Sequence, residues 1–385
     1  MSNTIEIKHS LRKIEFPECA REAIKKIESL INGRSPTIKQ MDLAIDLMAE
    51  FVFWEKDRRG NKRGVELTCI QEIQLLEVLC EYFSQPGSET TKNTVFLNLF
   101  GPSTIQLRLK ILCKLVSIGI SSSCASLLIA AGAWMQQLGC TSHSSLQLAR
   151  AIVKDYFALI PNVLETLYSL PKIAPQFTAN FLTAIAEIYL TDKYSVFTTP
   201  PKSLLEIITQ WVTENPTLCL AAQQKTAALP TGGIAMPTIT PIAGLFKWCI
   251  LAPLQCENTL KMPANNPKKM NDNNLELYAK LHLALLETLI EAKTESGLPN
   301  VIGSQHLVPV IPAIQTQIND LTRIGRDCST EIQLSLDRLA QAVQISIATK
   351  CMFGNIQELL LQMEKLPSNR LLTIVINTHK STVVL

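Results

Sequence analysis

The sequence lacks most of the residue groupings that carry chemistry. It has no C-x-x-C pair, and its five histidines are scattered from His9 to His379, so the closely spaced ligand pairs of a zinc site are missing. No H-E-x-x-H helix, G-x-S-x-G elbow or kinase signature occurs. The one double glycine, Gly232-Gly233, is followed by Ile234 rather than by a Lys-Ser or Lys-Thr pair. Cys140 and His143 are close enough to share a metal but have no second pair beside them, which reads as a loop cysteine next to a polar histidine. Acidic residues are dispersed rather than paired. The expectation is a protein with no catalytic residues, no cofactor, no metal and no small-molecule substrate.

Charge is also scarce. Charged residues make up 18% of the chain, against about 25% in ordinary soluble proteins, and the mean hydropathy is +0.17. Apolar side chains therefore exceed what one compact monomer buries, and the excess points to surfaces covered by other proteins. The net charge of +3 sets up no global field toward nucleic acid or an anionic membrane. Eleven cysteines, an odd count spread singly along the chain, fit a reducing compartment and no disulfide framework. Met1 to Glu18 carries Glu6, Lys8, Arg12, Lys13, Glu15 and Glu18 with no apolar core, unlike a secretory signal, so a cytosolic or nuclear protein is expected.

No charge occurs between Lys114 and Arg150, a stretch longer than the ~20 residues of a membrane-spanning helix. Ser117, Ser121, Ser122, Ser123 and Ser126 interrupt it, and Ile118-Gly119-Ile120-Ser121 reads as a turn between two shorter helices. No membrane span is expected.

Helical signals fill the rest. Thr68 and Gln71 form a T-x-x-Q capping box, followed by Cys69, Ile73, Leu76, Cys80 and Phe83 on one face and Leu75, Leu79 and Tyr82 on a second. Thr330 and Gln333 suggest another box before Ile332, Leu336, Leu339, Ala340, Val343 and Ile347. Asn274 reads as the cap of a helix with Tyr278, Leu281, Leu285 and Leu289 in one row and Leu283, Leu286 and Ile290 in an adjoining one. Further helices are expected at Pro17–Ile31, Ile38–Phe53, Ser103–Ser117, Ser145–Leu159, Gln176–Leu190, Pro201–Thr213 and Pro241–Leu251. Apolar residues on two sides of a helix are what stacked helical layers require. The expected fold is all-α, an irregular α-solenoid of HEAT-like stacked helical hairpins with no significant sheet, since no fixed-period consensus recurs. Its expected parts are a helical-repeat region over 1–254, a polar linker over 255–273 rich in Asn, Pro and Lys, and a helical region over 274–385.

Trp134, Trp211 and Trp248 sit in apolar helices and read as core residues, and His282 as a packed, hydrogen-bonded histidine. The best nucleic-acid candidate is the basic loop of Lys56, Arg58, Arg59, Lys62 and Arg63, helped by Lys268-Lys269 in the linker. Glu55 and Asp57 dilute it and no aromatic platform accompanies it, so a solvated loop or a nuclear-import signal is the preferred reading and direct nucleic-acid contact the alternative.

Several strings are similar to the Integrator complex subunit 15 family, whose members belong to an assembly acting on nascent RNA polymerase II transcripts. They are Glu50-Phe51-Val52-Phe53, Gln71 to Glu77, Thr240 to Leu245, Trp248-Cys249, Ala252-Pro253-Leu254, Leu277 to Leu283 and Glu331 to Ala342. The resemblance covers most of the chain from about Phe51 onward, and its motifs are packing motifs. It implies a nuclear helical-repeat subunit without catalysis of its own, partnered with Integrator subunits 10, 13 and 14 in a module that attaches to the enzymatic core. Family members extend into a Pro- and His-rich tail, whereas this sequence ends at Leu385 after Lys380-Ser381-Thr382-Val383-Val384, so no role of that tail is assigned.

Overall fold

A computed structural model describes residues 2–32, 36–55, 67–101, 106–159, 164–191, 196–221, 239–255, 272–294, 301–323 and 329–381. The basic loop of Lys56 to Arg63, the Gly232-Gly233 pair and all of the polar stretch except its ends lie outside the described residues. The fold is all-α, as the periodicity predicts. Strand pairing among the described residues is confined to two-residue pieces: β1 (Leu190–Thr191) runs antiparallel to β2 (Val196–Phe197), and β3 (Ile302–Gly303) runs parallel to β4 (Met352–Phe353). The chain separates into two compact units whose boundary falls between Phe177 and Thr178.

The first unit contains α1 (Ser2–Leu11), α2 (Glu18–Ile31), α3 (Ile38–Leu47), α4 (Cys69–Ser84), α5 (Glu89–Phe100), α6 (Gln106–Ser121), α7 (Ala125–Leu138), α8 (His143–Lys154), α9 (Leu164–Tyr168) and α10 (Leu170–Ile173). Single π-turns at Met48–Val52 and Asp155–Leu159 extend α3 and α8. The Thr68 box starts α4, with Gln71 N–H donating to Thr68 Oγ1 at 3.3 Å and Thr68 N–H to Gln71 Oε1 at 3.0 Å. An equivalent box of Thr37 and Gln40 starts α3. Helix α2 packs on α3, α5 on α7, and α6 on both α4 and α8. Phe53, Phe83, Phe96 and Phe100 form a continuous buried chain of rings with centroids 4.9–5.8 Å apart, spacings at which edge and tilted contacts are favourable.

The long uncharged stretch runs from the end of α6 through α7 into α8, and its first break falls later than expected. Gly119 to Ser121 are the last residues of α6, and the turn is Ser122 to Cys124, with Ser123 at φ 52°. Gly119 is there for contact, because a Cβ at that position would stand 2.6 Å from Leu127 Cδ2 on α7. Among the described residues no helix is long and apolar enough to cross a membrane.

Helix α11 (Pro175–Ile188) carries the boundary between the units. The second unit continues with α12 (Lys202–Glu214), α13 (Leu218–Ala221), α14 (Pro241–Leu251), α15 (Asp272–Thr294), α16 (Ser304–Leu307), α17 (Val310–Arg323), α18 (Ser329–Ala348), α19 (Ile356–Met363) and α20 (Arg370–Ser381). Its centre is α14, buried all round from Pro241 to Phe246 and from Trp248 to Leu251, which is the pattern of a helix surrounded by protein. Pro241 occupies the first turn, where its missing N–H is harmless, and Thr240 Oγ1 accepts from Ala243 N–H at 3.2 Å. Helices α15 and α18 both pack on α14, α12 covers α15, and α20 covers α18. Helices on either side of residues 256–271 thus share one core.

Two expected caps are displaced. Helix α18 begins at Ser329, so Thr330 lies inside it. Gln333 instead donates to Ser368 O at 3.1 Å and accepts from Asn369 Nδ2 at 2.8 Å, tying α18 to the start of α20. Helix α15 begins at Asp272, two residues before Asn274.

Candidate interaction surfaces

Buried charges are where a catalytic centre is normally sought, and among the described residues the buried cations close helix ends. The last carbonyls of a helix have no partner within it and sit at the negative end of its dipole. Lys92 Nζ donates to Phe83 O at 2.5 Å and also to Gln85 O, capping α4. Arg108 Nη1 donates to Leu99 O at 3.0 Å, capping α5, while its Nε and Nη2 clasp the Glu55 carboxylate at 2.5 and 2.6 Å and its guanidinium lies 4.7 Å over the Phe53 ring. Arg338 Nη1 donates to Cys249 O at 2.6 Å, and Ser335 Oγ to Ile250 O at 2.7 Å. The need at Cys249 is written in the sequence: the α-helical donor to its carbonyl would be the N–H of residue 253, and residue 253 is proline. Burial lowers the Arg338 pKa without taking its charge.

Several other titratable groups are held by neighbouring side chains. Glu72 on α4 accepts from Lys110 at 2.6 Å and Lys114 at 2.7 Å on α6, and these hydrogen bonds hold its carboxyl below the usual range. His282 is buried, its Nε2 2.9 Å from Gln341 Oε1 and its ring edge-on to Phe246; burial pushes its pKa down to about 4. His306 Nδ1 accepts from Gly303 N–H at 3.1 Å, and burial likewise lowers it to about 4. Both imidazoles are neutral at pH 7. Cys140 is buried and pushed up to about 12, and His143 stands on the surface 2.8 Å from Gln147 Nε2. Among the described residues no three His, Cys, Asp or Glu side chains converge as metal ligands. The cleft between α2 and α4, lined by Arg21, Glu28, Glu81 and Tyr82, encloses about 50 Å³, room for a water or two rather than for a substrate. Trp134, Trp211 and Trp248 are core residues, with Trp134 Nε1 donating to Phe100 O and Trp248 Nε1 to Ala186 O.

What is left uncovered is apolar. On α4 the buried face is Leu75, Leu76, Val78, Leu79 and Phe83, while Ile70 and Ile73 near its start are 70% and 66% exposed. On α15 the row Tyr278, Leu281, Leu285 and Leu289 is buried, whereas Leu283 and Ile290 in the adjoining row are 59% and 50% exposed. Single exposed apolar side chains are ordinary. A row along a helix is not. Periodicity shows that both rows exist, but which one meets the core depends on the neighbours, and only coordinates show those. Lys56, Arg58, Arg59, Lys62 and Arg63 lie outside the described residues, so the loop's role is not placed; the described part of its approach ends at Glu55, held by Arg108.

A family model described as Integrator complex subunit 15 matches residues 5–368. Among similar proteins, Integrator complex subunit 15 of Drosophila melanogaster is 37% identical over 390 residues, spanning 98% of both chains. The Homo sapiens protein of the same name is 31% identical, over 97% of this chain and 86% of its own length, and the Mus musculus protein 30% identical with the same coverage. The match runs through the helices that build both units and through the capping residues of each, and on that extent the chain belongs to the Integrator complex subunit 15 family.

Proposed function

We propose that this chain is a non-catalytic scaffold subunit of the Integrator complex. On this reading it is nuclear and stacks its helices as an irregular α-solenoid. It connects the module of subunits 10, 13 and 14 to the core during processing of RNA polymerase II transcripts, small nuclear RNA included, and in transcription regulation. The observation that carries the reading is the pairing of fully engaged buried charges with uncovered apolar rows. The buried cations are spent on closing helices, and the surplus of apolar surface sits where other polypeptides reach it. Family membership supports the choice of assembly.

Tagged full-length protein recovered from nuclei at native salt is expected to bring down subunits 10, 13 and 14; recovery of the chain alone refutes the reading. Charge reversal at Arg58, Arg59 and Lys62 is expected to leave RNA affinity and its salt dependence unchanged. A steep salt slope that this reversal abolishes would favour a nucleic-acid adaptor instead.

A further inference from the structure

On α15, Ala279, Leu283, Leu286 and Ile290 follow one another at intervals of four, three and four residues. That is the spacing of a coiled-coil seam, in which each apolar side chain becomes a knob for a hole on a facing helix. Leu283 and Ile290 are half exposed or more, and Ala279 and Leu286 are partly covered. The opposite side of α15 already packs on α12, α14 and α18, so the seam is not needed to hold the helix in place. A charged row borders it: Glu276, Lys280, Glu287 and Glu291. Lys280 pairs with Glu276 at 3.6 Å, and Glu287 is exposed with no ion pair among the described residues.

We infer that the outer face of α15 docks one amphipathic helix of another protein, with an apolar heptad stripe laid on Leu283, Leu286 and Ile290 and a lysine or arginine beside Glu287. This rests on the scaffold reading above. Charge selects the occupant. A second copy of this chain, set antiparallel so that Leu283 meets Ile290, would bring two Glu287 carboxylates opposite each other, a like-charge contact that disfavours pairing. A basic-flanked helix turns the same residue into an attraction that salt weakens. The isolated exposed residues elsewhere, such as Ile38 or Tyr168, offer no such run.

The test is benzoylphenylalanine placed at 283, at 290 and, as a control, at Lys350, in the full-length chain within cells, with cross-linked peptides mapped by mass spectrometry. Positions 283 and 290 are expected to mark one segment of another protein that carries an apolar heptad with a neighbouring Lys or Arg, and position 350 is expected not to mark it. L283E/I290E should lower recovery of that segment at least tenfold, and E287K, which leaves the apolar seam intact, about threefold or more; circular dichroism melts confirm that each variant folds. Cross-links only within this chain, to a second copy, to nucleic acid, or none, overturn the docking proposal. If Integrator subunits still co-purify in that case, the scaffold reading survives; if the wild-type chain is recovered alone, both fall.

Discussion

The two units solve the same problem with different charge chemistry. In the first, α4 and α5 end on Lys92 and Arg108, and neighbouring helices are joined by carboxylates: Glu55 to Arg108, and Glu72 to Lys110 and Lys114. In the second, α14 ends on Arg338, which meets no carboxylate among the described residues, and two buried imidazoles are neutral: His282 bonds Gln341 on α18, and His306 accepts from Gly303 three residues before it. The first unit sets a buried cation against a carboxylate, whereas the second buries neutral imidazoles and keeps its ion pair between α19 and α20, Lys380 to Glu364, at the surface. The difference predicts how each fails.

The largest effect belongs to the first unit. Arg108→Ala strands the Glu55 carboxylate in a site where both side chains are about 10% exposed and removes the donor to Leu99 O. Breaking a buried pair on one side costs about 3–5 kcal/mol. Arg338→Ala should cost less, about 2–3 kcal/mol, since it orphans a neutral carbonyl rather than a charge. The contrast sharpens in the double variant Glu55→Leu with Arg108→Met, expected to recover most of the Arg108→Ala loss in urea unfolding. If that double variant is as unstable as Arg108→Ala, carbonyl capping and not the ion pair sustains the site.

Acid separates the units next. His282 and His306 have folded pKa values near 4, lowered by burial, against about 6.5 in an unfolded chain. Between those values the unfolded state binds protons that the folded state refuses, so stability is complete above about pH 6.5 and lost as pH falls toward 4. The loss is at most about 3 kcal/mol per histidine. Glu72 runs on the other scale: its folded pKa is lowered by Lys110 and Lys114, so its contribution is intact above the ordinary carboxylate range and disappears only below it. Hydrogen exchange at pH 5 should therefore show α14, α15 and α18 loosening while α4 and α6 stay protected, and His282→Gln should flatten that response. Equal loosening of both units would remove the comparison.

These differences also mark what could be read from the sequence. The all-α class, the Thr68 box and the ends of α2 and α14 follow from local signals, because caps and helical periods act within a few residues. The Thr37 box carries the same T-x-x-Q signature as Thr68 and was legible by the same rule. The Arg338 cap on Cys249 was not, since its donor and acceptor are 89 residues apart, although Pro253 announces the orphaned carbonyl. The displaced cap at Thr330 has a tertiary cause: Asn369 and Ser368 engage Gln333, the side chain that the local rule pairs with Thr330. Gly119 suggests a turn because glycine breaks isolated helices, whereas here a neighbouring leucine occupies the space a side chain would take. Of the interaction faces, the sequence shows that α15 has two apolar rows; only packing shows that Leu283 and Ile290 are the row left over.

The smallest effects test whether each core keeps a misfit polar atom. In the first unit Asn93 is 1% exposed with neither amide atom bonded to a protein group, and in the second the Tyr278 hydroxyl is buried in the same condition. An unsatisfied buried group destabilises the fold, so replacing it by an apolar one of similar shape is stabilising. Asn93→Leu exchanges two misfit atoms for methyl groups and should raise stability by about 1 kcal/mol, while Tyr278→Phe keeps the ring against Phe197 and deletes one hydroxyl, for about 0.5 kcal/mol. Thermal melts at pH 7.5, where the histidines are neutral in both states, read the two gains without interference from the acid response. A loss in Asn93→Leu would mean that the amide is held by a bound water, and the first unit would then owe its order to solvated polar groups as well as to ion pairs.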